Sequence, residues 1–135
     1  MGFSALLEKD AISAHSAPFN FCGYEWFLGV TPMHKQSGDG IPYVALGLCL
    51  SQIGFNTDYI INAVFELSMY NHSNGTYCGR KASYSFSVNK MHSEKICLIP
   101  LQELLKSSDF LVGDTCVFGV RILKAAVSSP ERNLL

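Results

Sequence analysis

The chain has 135 residues, of which 48% are hydrophobic and 16% charged, with 10 basic and 11 acidic residues and a formal charge of −1. That is one domain's worth of chain with enough apolar material for a core, which excludes wholesale disorder and gives no attraction to a polyphosphate backbone. Five cysteines, at 22, 49, 78, 97 and 116, include no CxxC and no close pair, which argues against a zinc site and a fully paired disulfide framework.

The start, MGFSALLEKD, lacks the basic and apolar regions of a secretory signal, and no apolar run is long enough to span a bilayer. The expectation is a soluble protein of the cytoplasm or nucleus, with no cofactor and no nucleic-acid or membrane partner.

The first predicted element lies in FNFCGYEWFLGVTP, residues 19 to 32. At period two, Tyr24, Trp26, Leu28 and Val30 fall on one side and Glu25, Phe27, Gly29 and Thr31 on the other, a strand over 24 to 31 with Trp26 inside. Cys22-Gly23 suits a bend or bulge before it, and Pro32, with no N–H to donate, is expected to end it. Residues 33 to 40 read as a loop, and IPYVALGLCLS (41 to 51) as a second strand with Val44, Leu46, Leu48 and Leu50 on one face.

After a connection over 52 to 59, IINAVFELSMYN (60 to 71) predicts another strand, and Asn74-Gly75 a hairpin. The return strand is expected to be short, around Tyr77 to Arg80, with a separate strand at ASYSFSV (82 to 88). The period then changes: in LIPLQELLKSS (98 to 108), Leu101, Leu104 and Leu105 share a helical face, and Pro100 fits the first turn. GDTCVFGVRILKA (113 to 125) closes with a strand whose Cys116, Phe118, Val120 and Ile122 share a face, and 125 to 135 read as a flexible C-terminal tail. Strands at this spacing with one short helix predict an all-β protein, an antiparallel β-sandwich of about seven to eight strands.

The order of these pieces resembles the MATH, or meprin and TRAF homology, domain. It rests on GYEW at 23 to 26, the helix PLQELL, and FLVGDTCVFGVRI at 110 to 122 with its Leu-x-x-Asp-x-Cys spacing. The resemblance covers roughly residues 3 to 124, is closest in flavour to the plant TRAF-like members, and implies a TRAF-like sandwich. Two departures stand out. Most of the family's first strand is missing ahead of Gly2-Phe3-Ser4, which would expose a sheet edge. The family's Trp-Gly-Phe segment is replaced here by His92-Ser93-Glu94.

The resemblance implies a protein-binding module that takes a short extended peptide across a sheet, possessing no catalytic activity and acting as an adaptor in ubiquitin-dependent turnover. The groove residues it carries over are Phe65 and Tyr84 with the flanking charges Lys90 and Lys95. His92 and Glu94 stand where the family has Trp and Phe, and Gly47 where it has Tyr. The implied partners are proteins with Ser/Thr-rich segments. Phe65 and Tyr84 are equally readable as core strand aromatics, and His92, Glu94 and Lys95 as an exposed loop tip. A Cys–His nucleophile is disfavoured because the cysteines sit in apolar stretches or a hairpin, without a catalytic motif around them. The other function that fits is a degenerate MATH paralogue that pairs with itself or with other MATH proteins without binding peptide. The chain is expected to be a monomer or weak dimer.

Overall fold

The computed structural model describes residues 2–8, 14–35, 40–51 and 59–128. They form two short helices and eight strands: α1 (Phe3–Glu8), β1 (Ala14–His15), β2 (Phe19–Phe21), β3 (Tyr24–Lys35), β4 (Pro42–Leu50), β5 (Ile60–Asn71), β6 (Thr76–Phe86), β7 (Ile96–Pro100), α2 (Leu101–Lys106) and β8 (Phe118–Ser128). All strand pairs are antiparallel. One sheet runs β1-β3-β4-β7 with β2 also on β3, and the other runs β6-β5-β8. The expected β-sandwich is the fold of the chain.

The alternation read from 24 to 31 and 44 to 50 sets the core. Trp26, Leu28, Val30, Val44, Leu46, Leu48 and Leu50 are buried against Ile61, Phe65, Leu67 and Phe86 of the facing sheet. Trp26 is fully enclosed, its ring edge-on to Phe86 with centroids 5.2 Å apart. Its indole N–H donates to the Phe21 carbonyl at 3.0 Å, so burying the ring strands no polar atom.

Several boundaries differ from the sequence expectations. Pro32 does not end β3. The ladder with β4 pairs Thr31 with Ala45 and then His34 with Tyr43, so Pro32 and Met33 fall in an irregularity that demands no N–H from the proline. Cys22-Gly23 is the two-residue turn of a β2–β3 hairpin, with φ of 54° and 78°, the double positive φ of a type I′ turn. The short return strand and the ASYSFSV strand are one, β6, paired with β5 without interruption from Asn71↔Thr76 to Ile61↔Phe86. Asn74-Gly75 closes a four-residue loop between them rather than forming a two-residue turn.

Residues 96 to 100 pair with β4 as a strand, so α2 begins only at Leu101, after Pro100. Its buried face is Leu101 and Leu104, while Leu105 is exposed. The chain also opens with a second helix, α1. Asp114 holds it: Ser4 N–H and Oγ–H donate to the Asp114 carboxylate at 2.9 and 2.7 Å. β8 continues to Ser128, opposite Ile60, so residues 125 to 128 are strand and not tail. The Gly38-Asp39 part of the loop signal, the 52 to 58 connection and residues 129 to 135 lie outside the described residues.

Candidate interaction site

The expected groove residues divide between the two sheets. Phe65 faces the sandwich interior from β5, is 1% exposed, and lies against Phe86 with ring centroids 6.5 Å apart. It cannot touch a ligand, because period two puts it on the same side as Ile61, Ala63 and Leu67. Tyr84 is half-buried on β6, opposite Ala63, its ring edge packed on Phe86 at 4.9 Å. Both belong to the core, wholly or in part. Lys90 is exposed at the end of a tight turn, where its backbone exchanges hydrogen bonds with Ser87.

His92 and Lys95 are brought together. They line a shallow trough of about 200 Å³ on the outer face of the larger sheet, with His15, Gly29, Gly47 and Cys49. Gly29 on β3 is paired directly with Gly47 on β4. Two glycines side by side leave the outer face without side chains of their own at its centre: Gly29 is half-buried beside His15 and Cys49, while Ser93 and Glu94 cross Gly47 within 4 Å of where its side chain would start. Gly47, expected where the family has Tyr, makes room for that crossing segment.

The walls are two His-Ser dipeptides that act alike on either side of the sheet. Ser16 N–H donates to the Leu28 carbonyl at 2.8 Å while Leu28 N–H donates to Ser16 Oγ at 2.8 Å. Across the sheet, Ser93 N–H donates to the Leu48 carbonyl at 2.8 Å and Leu48 N–H to Ser93 Oγ at 2.9 Å. Leu28 and Leu48 are themselves partners in the β3–β4 ladder. In each case a serine hydroxyl replaces a carbonyl as acceptor, so the chain leaves the ladder without orphaning the strand's N–H. The histidine before each serine then lies beside Phe27: His15 at 4.9 Å and His92 at 6.5 Å between ring centroids.

Sequence reasoning identified His92 and Lys95 but not His15, Ser16, Phe27 or Gly29. Phe27 did appear on the outward face of its predicted strand, and an exposed-face aromatic inside a strand is the signal that could have marked it. The repeated His-Ser acquires meaning only once residue 16 is known to lie beside 28 and residue 93 beside 48.

Cys49, 5% exposed at the trough floor, has its thiol pushed up to about 11 by burial, and burial does the same to Cys116. Both are protonated near neutral pH and are poor nucleophiles. Among the described residues, no three His, Cys, Asp or Glu side chains group as metal ligands, and no helix is long and apolar enough to cross a membrane.

A family model described as MATH domain matches residues 1–122 of the chain. A search of curated proteins finds no match to it.

Proposed function

Because the chain belongs to the MATH domain family, whose members are protein-interaction modules, we propose that it holds a short extended segment of a partner protein in the trough over Gly29 and Gly47. The observation that carries this reading is the glycine pair. An extended peptide needs close approach to backbone, and the floor at half-buried Gly29, beside the covered Gly47, grants it between walls bearing His15, His92 and Lys95. Phe27 supplies an apolar surface beside the trough. Lys95 supplies a cation to its lining. The Ser/Thr-rich partner segments and the adaptor role in ubiquitin-dependent turnover rest on the family resemblance, and this trough is where such a segment would bind.

A peptide library selected on the full chain tests the reading. The best selected peptide is titrated against wild type, Lys95→Glu and Gly47→Val, each first shown to be folded by circular dichroism. Weakening by about tenfold or more in both variants is expected. Undiminished binding in both would put the contact elsewhere and remove the trough from the account.

A further inference from the structure

The outward face of the smaller sheet carries a feature that the trough does not use. On that face β5, β6 and β8 carry one acidic residue, Glu66, and three cations, Lys81, Arg121 and Lys124, whereas the whole chain carries a formal charge of −1. Glu66 pairs in register with Lys81 on one side and Arg121 on the other, and its carboxylate lies 3.3 Å from Arg121. Lys124, two positions along the face, is opposite Val64, which is 36% exposed.

Beside this charged row lies an aromatic platform. Ser68 is flanked in register by Gly79 and Gly119, a row with no side chain on either neighbour. The Tyr77 ring reaches over it: a Cβ on Gly119 would meet Tyr77 Cε2 at 2.9 Å and Ser68 Oγ at 3.0 Å. Ser68 is consequently only 7% exposed although it points to the solvent side, while Tyr77 keeps 56% of its own surface exposed. One edge of the ring is fixed by Tyr70, at 5.1 Å between centroids. A depression of about 290 Å³ joins Tyr77 to Arg121, and one of about 510 Å³ continues past Val64 to Lys124.

We propose that this face is a second docking surface and that it takes an acidic, extended segment of a protein partner. The chemistry complements it at each point. Carboxylates meet Lys81, Arg121 and Lys124, with Glu66 already turned toward Arg121. An apolar or aromatic residue lies on the exposed Tyr77 ring, and another on Val64. Neighbouring strands lie about 4.8 Å apart, so the cations on β6 and β8 are about 10 Å from one another, between the roughly 7 Å and 13 Å that separate same-side residues two and four apart on an extended acidic segment, and the long Lys and Arg side chains span the difference. A polyphosphate chain fits less well, since three outward cations interrupted by a carboxylate neutralise few phosphates and the chain as a whole is not basic. This surface is on the opposite sheet from the trough and stands or falls independently of it.

The test uses the full chain and an acetylated peptide of about ten residues alternating glutamate with tyrosine, a lysine-for-glutamate version of it, and oligothymidine, each titrated by calorimetry. Binding of the glutamate peptide that falls with added salt is expected. It should weaken about tenfold in the Lys81→Glu, Lys124→Glu double variant and again in Tyr77→Ala, and be unmoved by Lys95→Glu on the other sheet. Because Lys81, Lys124 and Tyr77 are all exposed, these variants should fold, which circular dichroism checks. Equal binding of the lysine peptide, no binding of the glutamate peptide, or loss on Lys95→Glu would overturn the proposal. Tighter binding of oligothymidine would overturn it in favour of a nucleic-acid face.

Discussion

β4 and β5 are the central strands of the two sheets, and they treat their outward faces differently. β4 is buried at every residue from Val44 to Leu50, whereas β5 alternates from exposed Ile60 through buried Ile61 to exposed Asn62, buried Ala63 and exposed Val64. The cause is local. On β4 the outward residues Ala45, Gly47 and Cys49 are small, and the 92–95 segment folds over them, with Ser93 and Glu94 within 4 Å of where a Gly47 side chain would start. On β5, among the described residues, exposed Asn62 and half-buried Glu66 meet solvent. The larger sheet therefore offers a walled trough, and the smaller sheet a more open face crossed by the Tyr77 ring.

The largest effect is expected where the sheets meet. Phe65→Ala removes a ring with 1% exposure from between them and should cost about 3–5 kcal/mol, much of a domain's stability. Chemical denaturation measures it. A variant of wild-type stability would return Phe65 to the surface and the groove, against the division of core and site drawn above. Tyr84→Ala is a mixed probe for the same reason, because that ring packs on Phe86.

Glycines sharpen the contrast. A Cβ on Gly79 would run into the Leu67 carbonyl and the Ser68 backbone of the neighbouring strand, so Gly79→Ala should destabilise by about 1–3 kcal/mol. At Gly47 the nearest atom to a new Cβ is Ser93 Oγ at 3.5 Å, an ordinary contact, and Gly47→Ala should change stability by less than about 0.5 kcal/mol. Thermal melts of the two side by side decide it. Equal losses would mean that the trough floor is as tightly covered as the β5–β6 pair, and too closed to admit a peptide backbone.

The fold was readable because its core signal is local. Period two at 24 to 30 and 44 to 50 marks residues that bury together, and a sandwich of about seven to eight strands follows from the spacing of the strand segments. What the sequence hid were the places where one strand compensates for another. Pro32 reads as a stop until the β4 partner slips by a residue. Lys81, after Arg80, reads as a break between two strands because β6 is an edge, where charges remain solvated while the ladder continues. Residues 98 to 100 look like the start of a helix because Pro100 suits both a strand end and a first turn. The site was less legible. His92 and Lys95 entered through a family resemblance. Ser16, His15 and Phe27 depend on which strands are neighbours, which periodicity alone does not state.

A finer effect, read as a coupling and not as a single loss, concerns the two serines that wall the trough. Ser16→Ala leaves the Leu28 N–H without its hydroxyl acceptor, and Ser93→Ala does the same to Leu48, each at about 1 kcal/mol because both sites are only partly buried. Leu28 and Leu48 are paired, so the two losses fall on one rung of the ladder and should not add. After the first serine is removed, the loosened rung holds the second acceptor less firmly, and the double variant should lose less than the sum of the single ones. A double-mutant cycle by urea denaturation measures that coupling. Strict additivity would mean that the two His-Ser dipeptides act as separate anchors of their own segments, and the trough between them would then be two independent walls with no common rung to keep its width fixed.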